Sequence, residues 1–247
     1  MSRKILIGLS LLGSVLNANA DEISLAVASN FSAPAKKIAA LYQQKTGVKI
    51  SLSSAGTGVL YNQITNGAPF DMLFAADDTT THKLAQNKFA MESTNFTYAR
   101  GQVVLWSADP KLVDKNGTVL QKGAFAHLAV ANPKLAPYGV AGYSVLQYYK
   151  LLPKLQNKIV TGDNISVTWQ QVASGSADLG FVALSQVSYQ GKLTSGSMWV
   201  VPTSIVPLIK QDAIVLEHGR NNNALPSFIK FLHSAPVLQI LHDYGYQ

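Results

Sequence analysis

Residues 51–77 read SLSSAGTGVLYNQITNGAPFDMLFAAD, and this stretch decides the fold. It predicts a strand, a turn of glycines and hydroxyl residues, a helix over 59–64, and a second strand that ends in a carboxylate. Small residues in the turn let a ligand approach the backbone closely, and the start of the helix directs free N–H groups and a partial positive charge at it. The turn contains neither lysine nor carboxylate. A small, fully ionised anion is therefore the expected guest, which favours binding over catalysis.

Strand-like and helix-like segments alternate along the rest of the chain, which predicts an α/β fold with parallel sheet. With residues 1–20 set aside for the reason given next, 227 residues remain, enough for one large domain or two lobes. Strands are predicted at 23–28, 48–52, 71–75, 102–106, 128–131, 177–183, 198–201 and 213–216, and later helices at 142–151, 225–232 and 237–244.

The N-terminus has the pattern of a secretory signal peptide over residues 1–20. Arg3 and Lys4 precede an apolar run over 5–16, and the Ala-Asn-Ala triplet at 18–20 predicts cleavage before Asp21. The run is shorter than the roughly 20 residues that span a bilayer. These features predict a soluble, exported protein.

Composition excludes several classes of function. The chain has no cysteine, so disulfides and thiol chemistry are excluded. Cleavage would remove two of 20 basic residues and none of 13 acidic ones, leaving a formal charge of 18 − 13 = +5. The basic residues are scattered and do not form the stripe expected of a nucleic-acid-binding surface. The five histidines show no metal-ligand spacing.

Several strand-to-helix turns carry hydroxyls, amides and bare N–H groups but almost no charge. They include Ser29 and Asn30 after the first strand, Thr57 after the second, and Tyr138 in the turn 132–139. Ligands of parallel sheets bind beyond the carboxyl ends of the strands, so these turns are expected to meet around one ligand.

Five motifs then resemble one family, in order and over nearly the whole chain. They are ASNF (28–31), SAGTG (54–58), GAPFDMLFAAD (67–77), NPKLAPYG (132–139) and ASGSADLGFVALS (173–185). They are similar to the periplasmic molybdate-binding proteins of ABC transporters. The resemblance implies a two-lobed type II periplasmic binding protein whose lobes, each a mostly parallel sheet flanked by helices, are joined by two crossing strands and close on an oxyanion in the cleft between them. Lobe 1 is expected to comprise 21–100 and 203–247, and lobe 2 to comprise 101–202.

Carried over position by position, the resemblance implies an oxyanion site of uncharged donors. Lobe 1 is expected to supply Ser29, Asn30 and Thr57, and lobe 2 to supply Tyr138 and the backbone N–H of Ile165. Some members of the family have a tyrosine where this chain has Ala183, and Tyr138 is expected to replace its hydroxyl. Ser54, Gly56, Gly58 and Gly139 are further candidates. No catalytic residue, metal ligand or cofactor is expected; molybdenum would be bound as its oxyanion.

The nature of the ligand follows from protonation. Molybdate and tungstate are dianions without a proton at neutral pH and need donors only, whereas phosphate is partly protonated and favours a carboxylate acceptor, which the turns lack. Sulfate obeys the same rule as molybdate, so a receptor for sulfate or another small oxyanion is the alternative. An exported enzyme on the same fold would need a base or nucleophile, and an adhesive protein would need no ligand. A monomer that delivers its anion to a membrane permease is the prediction; the pair Tyr148-Tyr149 suggests iron binding only weakly.

Overall fold

A computed structural model describes residues 22–247, which form two five-stranded sheets flanked by helices. The predicted signal peptide lies outside these residues. The strands are β1 (Glu22–Ala28), β2 (Lys49–Ala55), β3 (Met72–Phe74), β4 (Phe96–Gly101), β5 (Val103–Ser107), β6 (Leu128–Ala131), β7 (Ile159–Gly162), β8 (Leu179–Ala183), β9 (Ser188–Tyr189), β10 (Lys192–Leu193), β11 (Ser197–Val200) and β12 (Ile209–Val215). The helices are α1 (Ser32–Thr46), α2 (Thr57–Thr65), α3 (Thr79–Gln86), α4 (Thr118–Lys122), α5 (Pro137–Tyr148), α6 (Leu152–Leu155), α7 (Ile165–Ala173), α8 (Leu184–Val187), α9 (Leu225–Leu232) and α10 (Ala235–Asp243).

The two sheets define two lobes. The sheet of lobe 1 has the order β2-β1-β3-β12-β4, and that of lobe 2 has the order β11-β5-β8-β6-β7. In each sheet one strand runs against the others: β12 is antiparallel to β3 and β4, and β5 is antiparallel to β8 and β11. These two strands are the ones that enter from the other lobe, β5 directly after β4 and β12 after β11. The predicted α/β fold with two lobes and mostly parallel sheets is confirmed.

Each lobe has its own hydrophobic core. In lobe 2, every residue of β6 (LAVA) and β8 (LGFVA) is buried, because helices cover both faces of the sheet and each strand can be apolar throughout. In lobe 1, Phe31 stacks on Phe74 with ring centroids 5.7 Å apart, just below the carboxyl end of β1. These cores fix the strand ends, and with them the turns that follow.

The two predicted boundaries that lie furthest from the observed ones are wrong for identifiable reasons. Helix α5 begins at Pro137, five residues before the predicted Gly142, because proline has the helical φ already and is favoured in the first helical turn. Strand β12 begins at Ile209 rather than Ala213. Its polar residues Gln211 and Asp212 are 0% and 1% exposed. Because polar residues are usually exposed, the sequence pattern did not indicate a buried strand at these positions. Within residues 22–247, no helix has the length and apolar character needed to cross a membrane.

Candidate functional site

A small cavity lies between the lobes, where turns from both sheets meet. Its volume is about 10 Å³, and its lining contains no charged residue. The lining residues are Ala28, Ser29, Asn30, Gly56, Thr57, Ala76, Ala136, Pro137, Tyr138 and Ile165. All five residues that the resemblance singled out, and Gly56 among the further candidates, are therefore brought together here.

The first turn of lobe 1 presents Ser29 and Asn30 directly after β1, where a short 3-10 helix over Ser29–Phe31 begins. The Ser29 hydroxyl forms no hydrogen bond with any residue that the structure describes. The Asn30 side chain is engaged elsewhere, since its Nδ2 donates to Oε1 of Gln211 (2.8 Å) and to the hydroxyl of Tyr246 (2.9 Å). Asn30 can therefore face a ligand through its backbone N–H, one of the first-turn groups that a helix leaves without a partner.

The second turn of lobe 1 presents Thr57 as the first residue of α2. Thr57 is 2% exposed, and its Oγ1 accepts the backbone N–H of Ala76 at 3.0 Å. A hydroxyl that accepts in this way has its single proton left to donate. The N–H of Thr57 also has no partner within its own helix, because the first bond of α2 joins Leu60 N–H to Gly56 O.

Lobe 2 contributes Tyr138 near the start of α5. The side chain is 1% exposed, and its hydroxyl oxygen accepts a hydrogen bond from Nε2 of Gln211 at 3.2 Å. Burial raises the pKa of Tyr138 well above its ordinary value of 10.0. Tyr138 is therefore a neutral phenol with a proton to donate at physiological pH.

Lobe 2 also contributes Ile165, the first residue of α7. The helix is capped by Asn164, whose Oδ1 accepts the N–H groups of Ser166 (2.9 Å) and Val167 (3.1 Å). This cap satisfies the second and third N–H groups of the helix and leaves that of Ile165, which lines the cavity. The same arrangement recurs at Thr57 in the opposite lobe, which also lines the cavity and has an N–H without a partner in its own helix.

Direct hydrogen bonds between the lobes close the cavity on several sides. Gly58 N–H donates to Leu135 O at 3.0 Å, the Ser166 hydroxyl donates to Ser29 O at 3.2 Å, and the Ser185 hydroxyl donates to Asn30 O at 3.0 Å. The lobes are thus in the closed arrangement, in which donors from both can reach one ligand.

Comparison with known proteins places this architecture in one family. Residues 23–247 match the model described as bacterial extracellular solute-binding protein. A molybdate-binding protein ModA of Azotobacter vinelandii is 47% identical over 93% of this chain and 91% of its own, and one of Rhodobacter capsulatus is 43% identical over 95% and 92%. The chain belongs to the bacterial extracellular solute-binding proteins. The family resemblance predicted from the sequence motifs is confirmed.

A solved structure of this solute-binding family supports the same fold. The periplasmic molybdate-binding protein of Azotobacter vinelandii superposes with a TM-score of 0.88 at 37% identity, covering 91% of this chain and 98% of that one. The matches cover nearly the full length of this solved structure and of the two relatives above. The solute-binding architecture therefore extends across both lobes.

Three of the further candidates are engaged in other bonds. Gly58 donates its N–H to Leu135 across the cleft, and Gly139 donates its N–H to Ala136 O at 2.8 Å within its own turn. The Ser54 hydroxyl is exposed and pairs with that of Ser32 at 2.5 Å. None of the three lines the cavity.

The residues that sequence reasoning missed lie behind the cavity. Gln211, Tyr246 and Ser185 are buried polar residues that bond Asn30 from the far end of the chain and from lobe 2. Asn30 and Gln211 are 181 positions apart. No local motif marks such a partnership; the only signal is the polar pair Gln211-Asp212 inside a strand.

The electrostatics of the cavity rest on neutral groups. The nearest carboxylate in sequence to the lining residue Ala76 is Asp77, which accepts the N–H of Thr80 at 2.7 Å. Burial raises the pKa of Asp77. Among residues 22–247 no three His, Cys, Asp or Glu side chains gather as metal ligands would. Such a site can hold an anion by hydrogen bonds alone.

Proposed function

We propose that this protein is a periplasmic receptor that binds molybdate between its lobes and delivers it to a membrane permease of an ABC transporter. Tungstate is likewise a dianion without a proton at neutral pH, so the proposal includes it as a ligand. The observation that carries the proposal is the charge-free cavity in which first-turn N–H groups and buried hydroxyls of both lobes converge. Relatives of 47% and 43% identity that are named as molybdate-binding proteins support the choice of anion.

The proposed ligand contacts divide between the lobes. Ser29 and Thr57 offer hydroxyls and Asn30 its backbone N–H, while Ile165 offers its backbone N–H and Tyr138 its hydroxyl. Removing one such donor leaves an anion oxygen unsatisfied, at a cost of about 1–3 kcal/mol. Five or more neutral donors together can hold a dianion without a countercharge. Lobe boundaries at 100/101 and 202/203, export by a cleaved signal peptide, a monomeric state and the absence of catalysis belong to the same proposal.

Binding of the anion is coupled to closure of the two lobes. Only the closed arrangement lets Thr57 and Ile165 donate to the same ligand, so an anion favours it over an open form. Sulfate has the same hydrogen-bonding character as molybdate and is the alternative ligand. The size of the closed cavity must then decide between them.

Calorimetric titration of the mature chain with molybdate, tungstate, sulfate and phosphate tests the proposal. Saturable binding of molybdate and tungstate, with sulfate far weaker, is expected; a ligand at 1,000 times its dissociation constant should also stabilise the fold by about 4 kcal/mol. A preference for sulfate would make sulfate the ligand in place of molybdate. No binding of any of the four anions would refute the proposed function.

Thr57 offers the sharpest variant. Thr57→Ala removes the hydroxyl and should weaken molybdate by about tenfold or more, whereas Thr57→Ser retains it and should bind nearly as the wild type. Equal affinity of the alanine and serine variants would remove the Thr57 hydroxyl from the proposed site.

A further inference from the structure

Gln211 lies directly behind the cavity and is 0% exposed, yet it is not among the lining residues. It sits on β12 at a bulge, where the pairing with β4 shifts register between Gln211 and Asp212. Bulges redirect side chains near functional sites. Gln211 and Asp212 are both buried, as are the three residues of β12 that follow them.

The amide of Gln211 is oriented by its neighbours. Its Oε1 accepts from Asn30 Nδ2 and from the hydroxyl of Tyr98, each at 2.8 Å. With the oxygen held on that side, Nε2 faces the hydroxyl oxygen of Tyr138 at 3.2 Å. A carboxamide nitrogen can only donate, so Tyr138 is the acceptor in this contact.

This contact determines where the Tyr138 proton points. The lone pair that faces Gln211 is occupied, and the phenol finds no acceptor for its proton among residues 22–247. Tyr138 is 1% exposed and lines the cavity, so the ligand is the remaining acceptor. Anions without a proton accept this bond, whereas a protonated oxygen would present a second donor to it.

Gly101 makes this contact sterically possible. A Cβ at position 101 would overlap both the hydroxyl of Tyr138 and Nε2 of Gln211. The residue ends β4, at the point where the chain crosses from lobe 1 to lobe 2. The crossing strand therefore leaves room for a hydrogen bond between a lobe 1 amide and a lobe 2 phenol.

We propose that Gln211 is a positioning residue that fixes the Tyr138 hydroxyl as a donor and so makes the cavity select fully deprotonated oxyanions over those that carry a proton. The inference rests on the proposed oxyanion-binding function. It assigns selectivity to a residue that does not touch the ligand.

Gln211→Glu is the informative variant, because it keeps the shape and replaces the donating nitrogen by an accepting oxygen. The carboxylate should accept a hydrogen bond from the Tyr138 hydroxyl, which would turn a lone pair of the phenol oxygen toward the cavity. Molybdate affinity should fall by about tenfold to 100-fold, as for loss of a hydrogen bond to a charged group. Phosphate, measured by displacement of molybdate, should lose less affinity than molybdate does, because its P–O–H can donate to that lone pair while both anions meet the added negative charge. Gln63→Glu, on the exposed face of α2, is the control for added charge and should change neither.

A double-variant cycle separates positioning from a purely structural role. If Gln211 acts through Tyr138, Gln211→Met combined with Tyr138→Phe should bind molybdate no more weakly than Tyr138→Phe alone. Additive losses would overturn the inference, as would an equal fall of molybdate and phosphate affinity in Gln211→Glu. Should Gln211→Met fail to fold, the Glu variant decides alone. Failure of the wild type to bind molybdate would instead refute the proposed function itself.

Discussion

Gly56 provides a prediction that separates lobe closure from folding. Its backbone has φ −64° and ψ 146°, which any residue adopts without strain. A Cβ at this position would lie 2.9 Å from Leu135 O, and its next contacts would be Asn164 Cβ and Asp163 O, each at 3.4 Å. All three atoms belong to lobe 2. A side chain at position 56 is therefore opposed only when the lobes are closed.

We expect Gly56→Val to fold normally and to bind molybdate poorly. Forcing extra carbons into a packed contact costs about 1–3 kcal/mol, and the backbone carbonyl of Leu135 cannot move aside as a flexible side chain would. Because the cost falls on the closed state alone, it should appear in full as lost affinity, about fivefold to 150-fold. The thermal midpoint of the unliganded protein should not change.

Calorimetry gives the affinity, and small-angle scattering with saturating molybdate shows whether the variant still contracts. Ser53→Val adds comparable bulk to the same segment at an exposed position and should bind as the wild type. Wild-type affinity in Gly56→Val would refute the close approach of the lobes. A lowered midpoint without ligand would show instead that lobe 1 itself needs the glycine.

Two further predictions concern the cap of α7 and the buried phenols. Asn164→Ala removes the acceptor of two N–H groups, so it should lower the free energy of unfolding by about 1 kcal/mol and also weaken the binding of molybdate, both measured by urea denaturation with and without the anion. Gln170→Ala, at an exposed position on the same helix, should change neither quantity. An unchanged molybdate affinity in Asn164→Ala would contradict the role of the first turn. Burial raises the pKa values of Tyr98, Tyr138 and Tyr246 above 10.0, so their contribution to stability is complete below pH 10 and is lost as the pH rises toward the higher folded values. Denaturation at stepped alkaline pH should show this loss, whereas a molybdate affinity that falls with phenol ionisation around pH 10 would mean that Tyr138 titrates normally.

The site was predictable to the extent that it follows from local sequence. Ser29, Thr57 and Ile165 each come just after a strand and at the start of a helix, and the carboxyl ends of parallel strands meet by geometry. That the turns carry almost no charge can be read directly from the amino-acid sequence. The predicted strand 128–131 coincides with β6 for a similar reason, since a buried parallel strand is apolar throughout.

The parts that could not be predicted depend on contacts between distant segments. Which N–H groups are free is decided by partners such as Leu135, which lies in the other lobe and occupies the N–H of Gly58. Strand β4 reads FTYARG, with burial of only Ala99 and Gly101, so it lacks an apolar run. The polar start of β12 is stabilised by side chains such as Thr97, whose hydroxyl donates to Asp212 at 2.7 Å. No window of local sequence contains these pairs.

The position of β12 also dictates an order of assembly. This strand lies between β3 and β4, so the sheet of lobe 1 cannot be completed until residue 215 is available, although its other four strands all lie before residue 102. All five strands of lobe 2 lie between residues 103 and 200 and can pair earlier. We expect lobe 2 to reach its native state first. Until then β3 has an unpaired edge, because its partner β12 lies more than 130 residues further along the chain. A waiting edge of this kind is a site of aggregation, and a chain truncated before β12 should be insoluble.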